Sequence, residues 1–465
     1  MNHKYKREIY IPIEIKPREF VSQLLLSGEL AKKGLRVYLG NKKSLDKLVE
    51  NKSASNGVYL YKGGGGSISK FKNISKKVES IAVLDQEISP AIIDYNFIRN
   101  RFVKGCLKYV SRLYLVGNEA KKAATIVLDD FDSSKIKALG WPRVDLWQPS
   151  MNKIWSDQIK DIKKKFPEPF ILFTSDFGCN TETLLKQIIL RMEKRGAKKT
   201  KKEIERYKRI YLQEYKTFLQ FIDFLYLLDA DPKIPKIIVR PHPNEDHLAW
   251  QEKVKNLSKV NVVYEGDVSP WLLASDGLLH RGCTSAIEGA ISRKKIGFLK
   301  NFAGDHCKAL PALLSPKITD LESLKQWLFS ENETIDKIPS HYNLLSKHVL
   351  FPKEKSASLI AKDLSNLSVI DIAPSHLYKQ NNRKLTFKEY VIKKLKDKLK
   401  KLKLFIGLTI NKIYQKPNYI PKFSKKNKMQ SGIKLSECDY YLSIMNPEIK
   451  YNLIEVSDNL IKIEI

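Results

Sequence analysis

Five residues between an apolar segment and a run of small residues have the types that bind phosphate. Residues 277–280 read as the end of a strand, and a helix of small residues follows, so residues 281–285 should form the tight loop between them. Backbone N–H groups at a helix start favour an anion, the hydroxyls of Thr284 and Ser285 can add donors, and Gly282 permits close approach. The spacing Ser285-x-x-Glu288 also matches a capping box, which needs no ligand, so this loop alone leaves both interpretations open.

A second group of such residues stands at the end of another predicted strand. Residues 236–239 have the pattern of a buried strand, and the segment Arg-Pro-His-Pro follows directly. Open α/β sheets bind their ligands beyond the carboxyl ends of the strands. A lone histidine is usually structural, but an arginine and a histidine at this position favour a clamp on phosphate or pyrophosphate. The sequence therefore predicts that Arg240, His242 and Pro243 bind phosphate together with the loop at 281–285.

Two carboxylates follow a predicted strand nearer the start of the chain. Residues 80–84 read as a buried strand, and Asp85 and Glu87 stand at its end. There they would face the cleft between two domains, where a carboxylate can deprotonate an acceptor hydroxyl. A helix cap or a turn would use the same residues without any chemistry. Catalysis by Asp85, Glu87 and His242 is the functional expectation, and the structural interpretation of the two acids stays open.

Three segments resemble a known enzyme family. "RPHP" at 240–243, "DGLLHRGCTSAIEGA" at 276–290 and "GWPRVDL" at 140–146 are similar to bacterial surface carbohydrate biosynthesis proteins of the GT-B glycosyltransferase type. The chain is similar, more loosely, to Kdo transferases, to sialyltransferases with an HP motif and to CDP-glycerol glycerophosphotransferases. The resemblance spans roughly residues 5–365 and is specific over those three segments. In such enzymes the His-Pro pair and the Ser/Thr loop hold the nucleotide phosphate, in agreement with the interpretation from the strand ends.

The resemblance implies further residues around a nucleotide-sugar cleft. It places Arg143 beside the cleft, although Arg143 and Asp145 could instead pair with each other across a hinge. Thr174 and Ser175 follow a further predicted strand, and small hydroxyl residues there suggest contact with the donor. Glu288 could bond the ribose hydroxyls one helical turn beyond the phosphate loop.

The acidic segment departs from the family pattern. In the family, an acidic motif followed by glycine occupies the position of Asp85 and Glu87. In this chain Ile88, Ser89 and Pro90 stand in place of the glycine, so the resemblance does not by itself assign a role to either acid, and the functional interpretation rests on their position at the strand end.

Length, net charge and cysteine content limit the classes of protein to which the chain can belong. A chain of 465 residues exceeds what one core normally organises, so two domains and an appendage are expected. The formal net charge of +32, from 83 Lys and Arg against 51 Asp and Glu, predicts attraction to nucleic acid, to an acidic membrane or to nucleotide and lipid phosphates. Five cysteines without metal-binding spacing indicate a reducing compartment, with neither a disulfide framework nor a zinc site.

Alternating strand and helix patterns predict an α/β fold of the GT-B type, with two Rossmann-like, doubly wound domains. Residues 1–147 are predicted to form the acceptor-side domain, residues 148–366 the nucleotide-sugar-binding domain, and residues 367–465 a basic C-terminal extension. Within the extension, residues 391–406 place apolar side chains on one helical stripe among seven lysines, which is typical of a helix on anionic lipid. The same helix could also dock on its own protein.

No spanning helix or signal peptide is predicted. We therefore expect a cytoplasmic protein whose contact with the inner face of the cell membrane, if any, is peripheral.

Two Asp-x-Asp segments match a metal-binding pattern. Residues 130–132 follow a strand in the domain without the phosphate clamp, and residues 229–231 precede a strand, at the sheet edge opposite the predicted cleft. Neither position suits a metal that bridges donor phosphates, so no metal and no other cofactor is expected. A metal-independent reaction fits a CMP-linked donor better than a diphosphate donor.

The resemblance then implies a glycosyltransferase of surface polysaccharide or lipopolysaccharide synthesis. It would transfer a sugar of the Kdo or nonulosonate type from a nucleotide donor, expected to be CMP-linked, to a glycan or lipid-linked glycan. One alternative is a CDP-glycerol-type polyol-phosphate transferase, which shares the fold and the histidine motif. Another is a non-catalytic protein that binds anions or nucleic acid, suggested by net charge alone. Because the lysines of the domains are not interleaved with aromatic residues, no nucleic-acid partner is expected.

Overall fold

Two sheets of mainly parallel strands form the framework of the protein. The computed structural model describes residues 7–52, 55–63, 67–194, 201–243, 245–331, 334–350, 354–367, 429 and 432–465. The first sheet contains β1 (Glu8–Ile13), β2 (Arg36–Asn41), β3 (Ser55–Tyr61), β4 (Val78–Leu84), β5 (Val110–Leu115), β6 (Ile136–Ala138), β13 (Asn452–Ser457) and β14 (Leu460–Glu464). The second contains β7 (Phe170–Thr174), β8 (Lys236–Arg240), β9 (Val260–Val262), β10 (Gly277–His280), β11 (Ile296–Leu299) and β12 (Lys317–Ile318).

Helices connect the parallel strands of each sheet. Those of the first half of the chain are α1 (Lys16–Lys32), α2 (Lys42–Asn51), α3 (Ile68–Ser75), α4 (Tyr95–Arg99), α5 (Asn118–Val127), α6 (Pro142–Leu146) and α7 (Ser156–Lys165). Those that follow are α8 (Glu182–Lys194), α9 (Lys201–Ala230), α10 (His247–Val254), α11 (Val268–Ala274), α12 (Ser285–Ile291), α13 (Leu310–Leu313), α14 (Leu321–Phe329), α15 (Pro339–His348), α16 (Ser356–Ser365) and α17 (Leu435–Met445).

The strand order confirms the predicted fold class. The first sheet runs β13-β14-β2-β1-β3-β4-β5-β6, and the second runs β12-β11-β10-β7-β8-β9. The pairs from β2 to β6 and all pairs of the second sheet are parallel; in the second sheet Leu172 lies between Leu278 and Ile238. Parallel strands with helical crossovers must bury both faces, which explains their nearly continuous apolar sequences. The chain therefore has two Rossmann-like α/β domains, as predicted.

Apolar packing joins the two domains. One cluster of buried side chains fills the first domain and continues into the second domain through Phe170 and Leu172 of β7 and Trp271 of α11. A second cluster, which includes Phe173 and Trp250, belongs to the second domain alone. Because the first cluster crosses from one sheet to the other, the two domains are held against each other by a shared core.

The last two strands of the chain belong to the first sheet. This pairing was not predicted from the sequence, which indicated only a C-terminal extension. β13 and β14 form an antiparallel hairpin, and β14 pairs antiparallel with β2, so residues 452–464 extend the first sheet at its edge. At Gly40 a Cβ atom would lie 2.7 Å from the main-chain oxygen of Asn459, so only glycine permits this approach. Helix α17 packs on α1, where Lys16 forms an ion pair with Glu437. The basic stripe at 391–406 lies outside the described residues.

Helix α16 returns to the first domain and packs on α1. Asp363 accepts hydrogen bonds from Arg112 Nε at 3.0 Å and from the Tyr114 hydroxyl at 2.6 Å. The Asp145 carboxylate accepts from the backbone N–H groups of Ser356 and Ala357, both at 2.9 Å, and burial raises its pKa to about 6. Asp145 therefore caps α16, and the suggested pairing of Arg143 with Asp145 across a hinge is wrong.

Among the described residues, no helix is long and apolar enough to cross a bilayer.

Candidate functional site

A cleft of about 370 Å³ opens where the carboxyl ends of both sheets meet. Its volume lies within the range of about 300–1,000 Å³ typical of ligand pockets. All the predicted site residues line it except Asp85 and Gly282: the lining includes Glu87, Arg143, Thr174, Ser175, Arg240, His242, Pro243, Thr284, Ser285 and Glu288. Several polar residues of the lining were not predicted from the sequence, among them Arg18, Gln86 and Asp267.

Asp85 is a structural residue of the turn after β4. Its side chain is fully buried, and Oδ2 lies 2.8 Å from Nε of Arg101. Oδ1 accepts from the backbone N–H groups of Glu87 at 2.8 Å and Ile88 at 3.1 Å. The Trp141 indole donates to the main-chain oxygen of Asp85 at 3.1 Å. These contacts use both carboxylate oxygens, so the expectation that Asp85 faces the cleft is wrong, and the residue instead orients the turn that carries Glu87.

Glu87 faces the cleft and pairs with Arg18, which was not predicted from the sequence. Oε1 of Glu87 lies 3.0 Å from Nη2 of Arg18, and the two side chains are 36% and 35% exposed. Arg18 follows Pro17 in the first turn of α1, directly after β1. The position at a strand's carboxyl end was the signal that could have identified it. Since both groups reach solvent, this ion pair contributes little to stability and can exchange partners.

His242 lies across the cleft from this ion pair. Burial, and then the positive charge of Arg18, lower the pKa of His242 to about 4. The imidazole is therefore neutral at pH 7 in the unliganded protein. In this form it can donate one N–H bond to a phosphate oxygen, but it adds no positive charge of its own.

Two further arginines of the cleft, Arg240 of the second domain and Arg143 of the first, differ in their partners. Arg240 donates to the main-chain oxygens of Glu265 at 2.8 Å and Gly266 at 2.9 Å, so its guanidinium shapes the loop after β9. Burial lowers its pKa to about 10, which leaves it protonated at pH 7. The Arg143 guanidinium lies over the Trp147 ring, 5.4 Å from its centroid, and no hydrogen bond or ion pair within the described part of the chain holds it. Arg143 is thus the cation with donors to offer a ligand.

The hydroxyl loop lies at the start of α12. Thr284 is exposed to the cleft, and Ser285 Oγ is 2.7 Å from Oγ1 of Thr174. Ser175 donates to the buried carboxylate of Glu245, with its Oγ 2.6 Å from Oε2. Ser175 therefore fixes the strand end, whereas Thr284 presents its hydroxyl to the cleft.

Gly282 has a structural role behind this loop. Its φ is +131°, and a Cβ atom there would lie 2.6 Å from Cβ of His306, so both the backbone conformation and the space require glycine. The Gly282 N–H donates to Nδ1 of His280 at 3.2 Å. The expected contact of Gly282 with phosphate is therefore wrong, because its N–H is already used and the residue does not line the cleft.

A pair of carboxyl groups closes the other end of the cleft. Glu288 is 2% exposed and accepts a hydrogen bond from Ser269, rather than capping its own helix as the capping-box pattern suggested. Burial raises the pKa of Glu288, and burial together with the charge of Glu288 raises the pKa of Asp267 to about 8. At pH 7 Asp267 is thus mostly protonated and can donate as well as accept hydrogen bonds.

The two Asp-x-Asp segments serve local structure. Asp229 accepts from the backbone N–H groups of Ser258 and Lys259, and Asp231 accepts from Nζ of Lys325. Asp132 accepts from the Ser134 N–H in the first segment. Within the described ranges, no group of three His, Cys, Asp or Glu side chains is arranged to hold a metal ion.

Three solved structures resemble this chain at low identity. The Staphylococcus aureus MnaA–UDP co-structure is 10% identical with a TM-score of 0.46, over 77% of this chain and 96% of that one. The Methanocaldococcus jannaschii UDP-GlcNAc 2-epimerase in complex with UDP-GlcNAc and UDP gives the same identity and TM-score, over 77% and 99%. The wall teichoic acid polymerase TagF is 12% identical with a TM-score of 0.42, over 79% and 90%.

No protein-family model and no curated protein matches the chain. At these identities and TM-scores, the structural likenesses carry no argument about substrate or activity.

Gln86 is buried in the cleft wall without hydrogen bonds. The side chain is 3% exposed, and neither its amide nitrogen nor its amide oxygen has a partner within the described residues. Leaving such a buried polar group unpaired costs about 1–3 kcal/mol of folding free energy. Residues with this defect are often retained for a ligand that supplies the missing partners.

We predict that Gln86→Leu stabilises the protein. Leucine keeps a similar volume and removes the two unpaired groups, so the free energy of unfolding should rise by about 1 kcal/mol. Urea unfolding of the two proteins measures the change. Gln326→Leu, at an exposed position of α14, is the matched control and should change stability by less than about 0.5 kcal/mol. A Gln86→Leu protein no more stable than wild type would show that the amide has partners in solution.

Proposed function

We propose that the protein is a glycosyltransferase that moves a sugar from a CMP-linked donor to a glycan or lipid-linked glycan acceptor. The observation that carries the proposal is the composition of the cleft. His242 and the Thr284 hydroxyl of the second domain face Arg18, Glu87 and Arg143 of the first domain across one cavity. Groups suited to an anionic leaving group thus stand opposite a carboxylate suited to activate a hydroxyl.

The charges of the cleft favour a monophosphate leaving group. The phosphodiester of a CMP-sugar carries one negative charge, and this rises to two when CMP departs. The guanidiniums of Arg18 and Arg143 can balance two charges, and the neutral imidazole of His242 can add one N–H donor. Charge that develops at the phosphate would therefore be stabilised by this chain's own residues.

The transfer step follows from the position of Glu87. The acceptor hydroxyl oxygen forms a bond to the anomeric carbon, while the bond from that carbon to the phosphate oxygen breaks. Glu87 takes the proton of the hydroxyl, and CMP leaves with the bonding electrons. When Arg18 moves to the phosphate it releases Glu87, so donor binding would prepare the base.

The proposal also includes the residue that binds the ribose of the donor and the type of sugar that is transferred. Glu288 lies about one helical turn beyond Ser285, a distance that suits a ribose whose phosphate is held at the start of α12. The similarity of three sequence segments to surface carbohydrate enzymes supports a sugar of the Kdo or nonulosonate type. It also supports a role in surface polysaccharide or lipopolysaccharide synthesis.

A panel of ligands tests the proposed donor class. The melting temperature of the protein is measured with CMP, CDP, UDP, GDP and a short oligonucleotide, each at the same concentration. CMP should give a large shift, since a ligand at 100 times its Kd adds about 2.7 kcal/mol to stability. A shift with the oligonucleotide alone, or with no member of the panel, would contradict the proposal.

We predict different consequences for the two acids after β4. Glu87→Gln should lower kcat by about two to four orders of magnitude without weakening nucleotide binding, because the base acts on the acceptor and not on the phosphate. Asp85→Asn should instead destabilise the fold by about 3 kcal/mol, because it breaks a buried ion pair and leaves Arg101 without its partner.

The measurements are CMP release from CMP-Kdo or CMP-N-acetylneuraminate, nucleotide affinity by calorimetry, and urea unfolding. Unchanged turnover in Glu87→Gln would mean that another group accepts the proton. A large loss of CMP affinity in the same variant would place Glu87 in the donor pocket and contradict its assignment as the base that acts on the acceptor.

A further inference from the structure

A second cavity, of about 280 Å³, adjoins the cleft. Pro17, Trp155, Gly266 and Asp267 line both spaces, so these four residues mark the boundary between them. The second cavity extends from this boundary between α1, α7, α11 and the C-terminal helix α17. Its aromatic lining consists of Phe20, Trp155, Trp271 and Tyr441.

Two polar groups in the wall of this cavity are buried and unpaired. Trp155 is 2% exposed, and its indole Nε1 has no hydrogen-bond partner among the described residues. The Oε1 atom of Gln158 is also buried without a partner, while its Nε2 atom donates to the Tyr441 hydroxyl at 2.7 Å. Since most buried polar groups are bonded in native proteins, a donor and an acceptor left over in one cavity wall point to a missing ligand.

Charge around the cavity excludes a phosphate there. Its lining contains the carboxylates of Asp161, Glu265 and Glu437, the mostly protonated carboxyl group of Asp267, and one cation, Lys16, which pairs with Glu437. An anion would be repelled by this set, whereas an uncharged ring with N–H groups would find acceptors. The aromatic side chains add flat apolar surface on which such a ring can stack.

The order of contacts along the cleft leads from the phosphate end to this cavity. Ser285 begins α12, and Glu288 follows about one turn later, near 5 Å along the helix. Glu288 accepts from Ser269, and Asp267, which stands two residues before Ser269, is at the boundary of the second cavity. A nucleotide has the same order of parts: phosphate, ribose and base.

We propose that the second cavity binds the nucleobase of the donor nucleotide. The inference rests on the proposed function and names the residues that read the base. The Trp155 indole N–H donates to a ring carbonyl or ring nitrogen, and Gln158 Oε1 accepts from a ring N–H or amino group. The ring stacks among the aromatic side chains, as bases do on aromatic surfaces of other nucleotide-binding proteins. The C-terminal helix α17 thereby contributes to the donor site through Tyr441, which positions Gln158.

Calorimetric titration with CMP and with ribose 5-phosphate tests this assignment, because the second ligand lacks only the base and so reports on the rest of the site. Trp155→Phe keeps an aromatic ring and removes the single N–H donor. In this variant the Kd for CMP should rise about tenfold, while the Kd for ribose 5-phosphate stays the same. Trp327→Phe is the matched control, since it removes an indole donor bonded to Ile296 in the second domain. It should leave both affinities unchanged.

The other outcomes overturn the inference. Equal weakening of both ligands by Trp155→Phe, or unchanged binding of CMP, would show that the base lies elsewhere while the proposed donor class stands. If wild-type protein binds neither ligand, the proposed function fails and the base site fails with it. Should Trp155→Phe not fold, as judged by its melting temperature, Gln158→Leu decides the question by the same comparison, because it removes the unpaired acceptor from the same cavity.

Discussion

Charged side chains held partly out of water in one cleft are the constraint on which the rest of this structure depends. The carboxyl ends of both parallel sheets point there, so the loops of two domains bring guanidinium and carboxyl groups together. Arg143 stays protonated at pH 7 in spite of its burial, so other groups in the cleft differ from their usual protonation states instead. Asp267, beside Glu288, keeps its proton with a pKa of about 8, and His242, near Arg18, stays neutral with a pKa of about 4. A phosphate that enters this cleft meets Arg18, whose ion pair with Glu87 is partly exposed, and Arg143, which has no ion-pair partner among the described residues.

The C-terminal elements support α1, which lines this cleft, and α17 lines the cavity beside it. Helix α16 is capped by Asp145 and bonded through Asp363, which fixes the return from the second domain to the first. The last strands then extend the first sheet beside β2, and α17 packs on α1 next to the cavity that adjoins the cleft. Because α1 also carries Arg18, the C-terminal segment supports the helix that supplies a cation to the site.

Local patterns in the sequence were enough to predict the two α/β domains and ten of the residues that line the cleft. Where an apolar run gives way to polar residues, the sequence marks the carboxyl end of a buried strand. Ligands bind at these ends, so the sequence alone predicts that Arg240 and Thr284 lie at the cleft. Other features depend on contacts between residues far apart in the sequence, and local patterns could not predict them. Asp85 and Glu87 share one strand end, and only Arg101, sixteen residues later, shows which acid is used for structure. The pairing of β14 with β2 joins opposite ends of the chain and has no local signal.

The central claim is that Arg18 pairs with Glu87 in the free protein and with the donor phosphate in the nucleotide complex. A double-mutant cycle on the Kd for CMP, with Arg18→Gln, Glu87→Gln and the double variant, tests it most directly. The account predicts that Arg18→Gln weakens binding about tenfold or more and that Glu87→Gln strengthens it, because the competing carboxylate is gone. In the Arg18→Gln background, Glu87→Gln should lose most of this effect. Strictly additive effects, or an Arg18→Gln protein that binds CMP as well as wild type, would contradict the account.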